Sequence, residues 1–421
     1  MKEDFLHYIW KTKRISQNNL QTTDNEPLQI IQFGHHNHDA GPDFFNGRIK
    51  IGDTIWSGHI EIHINASDWN NHKHQHDPAY SNVILHVVQN HDKDIFNHKG
   101  QKIPTLVLAG LYDENLNDRY NNLLASENWI PCHDLLPKTD LSKFPFFLER
   151  KLTDRLIRKH QDMMTMLENK KNNWEEVLYA TMLRYMGHRS NNEAFENLAS
   201  RCPHKLLIKQ GENLQQKESI LFGQAGLLQS ADEYFSALTT TYNHLQHKYE
   251  LQPMHGVEWK FSRMRPASFP TLRIAQVAAL YHKTPQLFQG IINQPQTNFL
   301  RGTLDITPSP YWNSHYIPGK VTDPKPKPIG AMTKDIILIN VYAPLIFTYG
   351  QKTGNQDLKD RALDILADIP SENNNIIRKW RSLGIKADSA AQSQALLELK
   401  TEMCNNSRCL DCFIGQQIIQ A

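Results

Sequence analysis

The chain has few cysteines, no long apolar run and no excess of charge of either sign, and each shortage excludes something. Five cysteines in 421 residues cannot build the disulfide framework of a small secreted domain. The longest apolar stretch, Ile336 to Phe347, contains Asn340 and Pro344 and is shorter than the roughly 20 residues that span a bilayer. Formal net charge is +2, from 46 basic and 44 acidic residues, which excludes a global basic footprint for nucleic acid. Met1-Lys2-Glu3-Asp4 opens a mixed polar segment rather than a signal peptide. A cytoplasmic protein with no membrane partner is expected.

The histidines, by contrast, are concentrated. Eleven of 21 fall between residues 35 and 98, around Gly58-His59-Ile60-Glu61-Ile62-His63-Ile64. That stretch alternates. As a strand it directs His59, Glu61 and His63 to one side and the isoleucines to the other. Two imidazoles and a carboxylate on one face suit a divalent metal. Pro42-Asp43 lies one hairpin upstream, behind His35, His36 and His38. His72, His74 and His76, with Asp77, stand at alternate positions, and an extended segment would put them on one side. His86 sits inside the apolar run Asn82 to Val88, where a buried imidazole needs partners and can support a metal ligand.

The pattern predicts an α/β first domain with a mixed sheet over residues 1–125. A helix over Glu3 to Ile15 is followed by strands at Leu28–Phe33, Phe44–Ile51, Thr54–Ile64, Asn82–Val88 and Lys102–Leu108. Gly52-Asp53 makes the hairpin turn. Residues 126–421 read as a large all-α region with a cysteine-rich tail, interrupted by connectors at 263–270 and 308–330. Charge follows the division: residues 1–125 hold 11 basic and 15 acidic residues, so the remainder carries a small positive excess, compatible with a phosphate-bearing substrate. Arg263, Arg265 and Arg273 lie near a stiff loop that opens a helix, an arrangement suited to phosphate.

Cys404, Cys409 and Cys412 form C-x4-C-x2-C. Clustered thiols with a C-x2-C chelate are most economically explained by zinc or an iron–sulfur cluster, both of which take four ligands. Cys132, Cys202 and His133 are candidates for the fourth.

The order helix, Pro42-Asp43 corner, hairpin, Glu61-Ile62-His63 strand, short helix and apolar strand resembles the core of the PD-(D/E)XK nuclease superfamily. That resemblance implies Mg²⁺ or Mn²⁺ held by Asp43 and Glu61. It puts His63 where the family has lysine, with Lys73 as a migrated charge, and implies DNA or RNA as partner. Gly58-His-Ile-Glu-Ile-His63, Ser67-Asp-Trp69, Asp77-Pro-Ala-Tyr80, Val83-Ile-Leu-His-Val-Val88 and Cys409-Leu-Asp-Cys-Phe-Ile-Gly415 also resemble a bacterial family, domain of unknown function 2851, which implies no activity. The expectation is a metal-dependent nuclease-like hydrolase in which Asp43 and Glu61 hold the ion and His63 handles water. A zinc or iron enzyme built on His59, Glu61 and His63 for a small organic substrate is the alternative, as is a non-catalytic binding protein.

Overall fold

The computed structural model describes residues 1–37, 39–229 and 232–421, so His38 lies outside the described residues. The chain forms two compact units: residues 1–144 with 400–421, and residues 145–399.

Helix α1 (Glu3–Lys11) opens the first unit with acidic residues in its first turn, a lysine in its last, and Phe5, Leu6, Tyr8, Ile9 and Trp10 buried. It stops before Ile15 because Lys13 takes a left-handed backbone (φ +56°) that no helix continues. The strands are β1 (Leu28–Gln32), β2 (His35–His36), β3 (Phe44–Ile51), β4 (Thr54–Asn65), β5 (Val83–Asn90) and β6 (Thr105–Val107). They run in the order β1-β3-β4-β5-β6, with β2 also paired to β3. β1, β3 and β4 are antiparallel, whereas β4, β5 and β6 are parallel. The sheet is therefore mixed, as the pattern predicts.

The β3–β4 hairpin turns at Gly52, whose φ of +54° is open to glycine without strain. Parallel pairing of β4 and β5 requires a long crossover, and that crossover carries α2 (Asp68–Asn71) and two single-turn 3₁₀ segments. At Gly58 the start of β5 comes so close that a Cβ would lie 2.4 Å from the Asn82 carbonyl oxygen. Ile60, Ile62, Leu85, Val87 and Leu106 form the dry core of the sheet. β5 reads as almost continuously apolar because both of its faces are covered.

The second unit is helical, with long helices at Trp174–Met186, His188–Arg201, Glu233–Tyr249 and Pro270–Lys283. Asparagine and aspartate caps start several of them; Asn173, for example, accepts from the Glu176 backbone N–H at 3.2 Å. Residues 308–330 are more than a connector: His315–Ile317 and Lys320–Val321 form a small antiparallel pair. The continuous helical stretch Ala331–Thr353 is long and apolar enough to cross a membrane, but 72% of its apolar window is buried inside the protein, which is the packing of a core helix. Its middle turn widens to a π-turn at Leu338–Tyr342, next to Pro344, which has no N–H to give the Asn340 carbonyl.

Candidate metal centre

Two backbone hydrogen bonds fix the centre of the site. The Asp43 N–H donates to Glu61 Oε2 at 3.1 Å, and the Ile62 N–H donates to Asp43 Oδ2 at 2.9 Å. This reciprocal clasp joins the entry to β3 with the middle of β4. The approach is stiffened by Pro42 and by Asn37, whose backbone N–H donates to the Asp43 carbonyl and whose side chain donates to the Pro42 carbonyl.

Glu61 then faces two groups of donors. Its Oε1 lies 3.3 Å from His74 Nε2 and 3.6 Å from His63 Nε2, and His63 Nε2 lies 3.2 Å from His72 Nδ1. With metal–nitrogen bonds of about 2.05 Å, donor atoms around a tetrahedral ion sit ~3.3 Å apart. These edges match that spacing. The three rings form a near-equilateral triangle, with centroids 5.1, 5.3 and 5.4 Å apart. On the other side, Glu3, His7 and Asp43 bring their ligand atoms within 4.8 Å of one another, with His7 Nε2 3.2 Å from Asp43 Oδ2. Glu3 Oε1 is also 4.0 Å from His63 Nε2. Glu3 and His7 share one face of α1 through their i, i+4 spacing.

The crossover explains the ring placement. His72, His74 and His76 are not on an extended segment: Lys73, at φ +63°, turns the chain between the end of α2 and the 3₁₀ segment His74–His76. That turn brings His72 and His74 to His63 and leaves His76 exposed. Lys73 is itself exposed. Tyr80 stacks on His74 at 3.8 Å, and Trp69 packs edge-on against His74 and His86. His86 is fully buried, and its Nε2 lies 2.8 Å from His63 Nδ1. If His63 offers the Nε2 lone pair to a cation, Nδ1 carries the proton and His86 accepts it.

Electrostatics separate the groups. Burial, and then the charges of His86 and His74, push His63 down to about 3. Burial likewise lowers His74 to about 4 and His86 to about 3, so the His63 and His74 ligand rings and the His86 ring behind them are neutral at pH 7. Burial and the nearby Asp43 carboxylate push Glu61 up to about 9. Burial opposes protonation of His7, but the hydrogen bond and charge of Asp43 outweigh it and hold its pKa above the ordinary value. The His7 ring lines a cleft of about 260 Å³ bounded by His36, Lys2, Lys11 and the tail residues Ser407 and Arg408.

The structure thus brings Asp43, Glu61 and His63 together and adds His72 and His74. His59 stands elsewhere. A bulge between Phe44 and Gly47 interrupts the β3–β4 register, so His59 packs on Phe45 at 4.8 Å and its Nδ1 meets the Asn46 N–H. Arg263 and Arg265 are exposed on the second unit. Arg273 is not a phosphate grip. It is buried, burial lowers its pKa to about 10, and it donates to Gln276 and Thr333 and meets His188. Sequence reasoning passed over Glu3 and His7, although their helical spacing beside an acidic first turn was a readable signal.

The cysteine tail belongs to the first unit. Cys132, Cys404, Cys409 and Cys412 line one cavity of about 20 Å³, and none of the chain's five cysteines is in a disulfide. Cys202 is buried in the second unit beside Tyr179, and His133 pairs with Asp134 at 2.9 Å.

A family model described as "Protein of unknown function (DUF2851)" matches residues 3–375. No curated protein and no solved structure matches the chain.

Proposed function

The chain belongs to the DUF2851 family, and we propose that this member is a metal-dependent hydrolase of phosphodiesters in nucleic acid. One observation carries the reading: Glu61 is held with one oxygen against His63 and His74 and the other against the Asp43 corner, where Glu3 and His7 converge. A cation bound there would neutralise phosphate charge and supply hydroxide at neutral pH. His63, His72, His74 and Glu61 would hold it, and Glu3 and Asp43 offer a second, carboxylate-rich position. His63 is too weak a base to take a proton from water, so it serves as a ligand. His7, whose affinity for a proton Asp43 raises and which lines the cleft, is placed to give a proton to the leaving oxygen. Lys2, Lys11 and Arg408 on the cleft wall suit an anionic substrate.

The test is cleavage of bis(p-nitrophenyl) phosphate and of labelled single- and double-stranded DNA and RNA with Mg²⁺, Mn²⁺ or Zn²⁺ supplied. Cleavage that disappears in Glu61→Gln and Asp43→Asn supports the reading. Cleavage that survives both variants, or none with any of the three metals, overturns it. A second reading is a zinc or iron enzyme acting on a small organic substrate, favoured by the three-imidazole set, since imidazole suits those metals. Tightly copurifying zinc or iron without phosphodiester cleavage would select it.

A further inference from the structure

We infer that Cys132, Cys404, Cys409 and Cys412 hold a second, thiolate-bound metal centre, either a zinc ion or an iron–sulfur cluster, separate from the histidine–carboxylate site. Three of the thiols are close in sequence, but Cys132 is far from them along the chain, and only the fold brings it to the same cavity. Local geometry delivers each one. Cys132 heads a tight turn in which its carbonyl accepts from the Leu135 and Leu136 N–H groups. Ser407 takes a left-handed backbone (φ +52°) just before Cys409, and the Cys412 N–H returns to the Cys409 carbonyl. Gly415 lets the last helix, Phe413–Gln420, lie against Cys409; a Cβ there would sit 2.2 Å from the Cys409 carbonyl oxygen.

Four cysteines line one small space, close enough for their thiols to feel one another's charge, and four thiolates are the full ligand set that zinc and iron–sulfur clusters both require. Apolar packing alone does not call for it, since four alanines or valines would fill the space without oxidisable groups. Positive charge is also at hand. Arg408 lines the same cavity, and Lys400, whose Nζ donates to the Trp129 carbonyl at 2.7 Å, lies near Cys404. Lys400 would offset part of the net negative charge of a four-thiolate centre, while Arg408 is paired with Asp411 at 3.1 Å.

The consequence reaches the cleft. Residues 406–408 and Leu410 line the same cleft as His7, and they belong to the loop between Cys404 and Cys412. A metal at the four thiols fixes that wall. The centre is structural and takes no part in bond cleavage.

The experiment uses full-length protein purified without oxygen, with metal content measured and X-ray absorption recorded at the zinc and iron edges. The expected result is about one zinc, or about four irons with acid-labile sulfide, in a shell of sulfur at ~2.3 Å. Cys132→Ser and Cys409→Ser should each lose that sulfur-bound metal, whereas Cys202→Ser keeps it. His72→Ala/His74→Ala should keep it as well, which separates this centre from the histidine site. A native protein with no sulfur-coordinated metal, even after anaerobic supply of zinc or of iron and sulfide, overturns the inference. So does a Cys132→Ser variant with its full sulfur shell.

Discussion

The histidine–carboxylate site and the cysteine cavity lie in the same unit, and they differ in almost every property that governs a metal. The first uses imidazoles and a carboxylate that resists ionisation, and it meets a cleft of about 260 Å³ through His7, which lines it. The second offers thiols around about 20 Å³, with no comparable room for a substrate. Donors that are neutral and partly accessible leave an ion free to work on something else. Four thiols that give up their protons to one ion satisfy it completely. The comparison assigns chemistry to one place and rigidity to the other.

The largest way to break that assignment is Glu61→Gln. Phosphodiester cleavage should fall by more than about 100-fold, while metal-free protein at pH 8 melts at an unchanged or higher temperature. The sign follows from burial. An acid raised from 4.5 to about 9 disfavours the folded state increasingly between those pH values, and glutamine removes that penalty. A variant that unfolds would make Glu61 a structural residue.

Next is His86→Phe, which fills the space but removes the acceptor for His63 Nδ1. Metal affinity at the histidine site should weaken by about 10–100-fold, as isothermal titration with Zn²⁺ or Mn²⁺ would record, with the sulfur-bound metal unchanged. Equal loss at both places would mean that the sites are not independent.

Proton release sharpens the contrast further. At pH 7, uptake at the histidine site should release a proton from Glu61 but none from His63 and His74, which are already neutral. Apparent affinity there should climb with pH up to about 9 and then level off. Uptake by the thiols should release about four protons, since burial pushes Cys132 and Cys409 up to about 12. Calorimetry in buffers of different ionisation enthalpy counts both. The smallest effect is His59→Ala, which should leave both metal loads as they are, because its ring packs on Phe45 and Asn46.

Much of the sheet was legible because alternation over β4 and the apolar run of β5 are strong local signals. β3 was readable at both ends for the same reason. The alternation misled at His59, since it assumes an unbroken ladder and the bulge before Gly47 displaces the pairing. It could not reveal that one left-handed residue, Lys73, turns His72 and His74 toward His63. Arg273 was read as a phosphate contact because its true partners are Gln276 and Thr333, and Thr333 is a tertiary contact that no local pattern displays. Cys132 was one candidate among three for the same reason: the return of the tail to its turn is a property of the fold.

The central claim is that Glu61 and three imidazoles form one donor set. Anomalous diffraction from crystals soaked in Zn²⁺ or Mn²⁺ tests it most directly. The account predicts a peak within about 2.0–2.2 Å of His63 Nε2, His72 Nδ1, His74 Nε2 and Glu61 Oε1. A histidine site without a peak, in crystals whose ions bind only elsewhere, would contradict it.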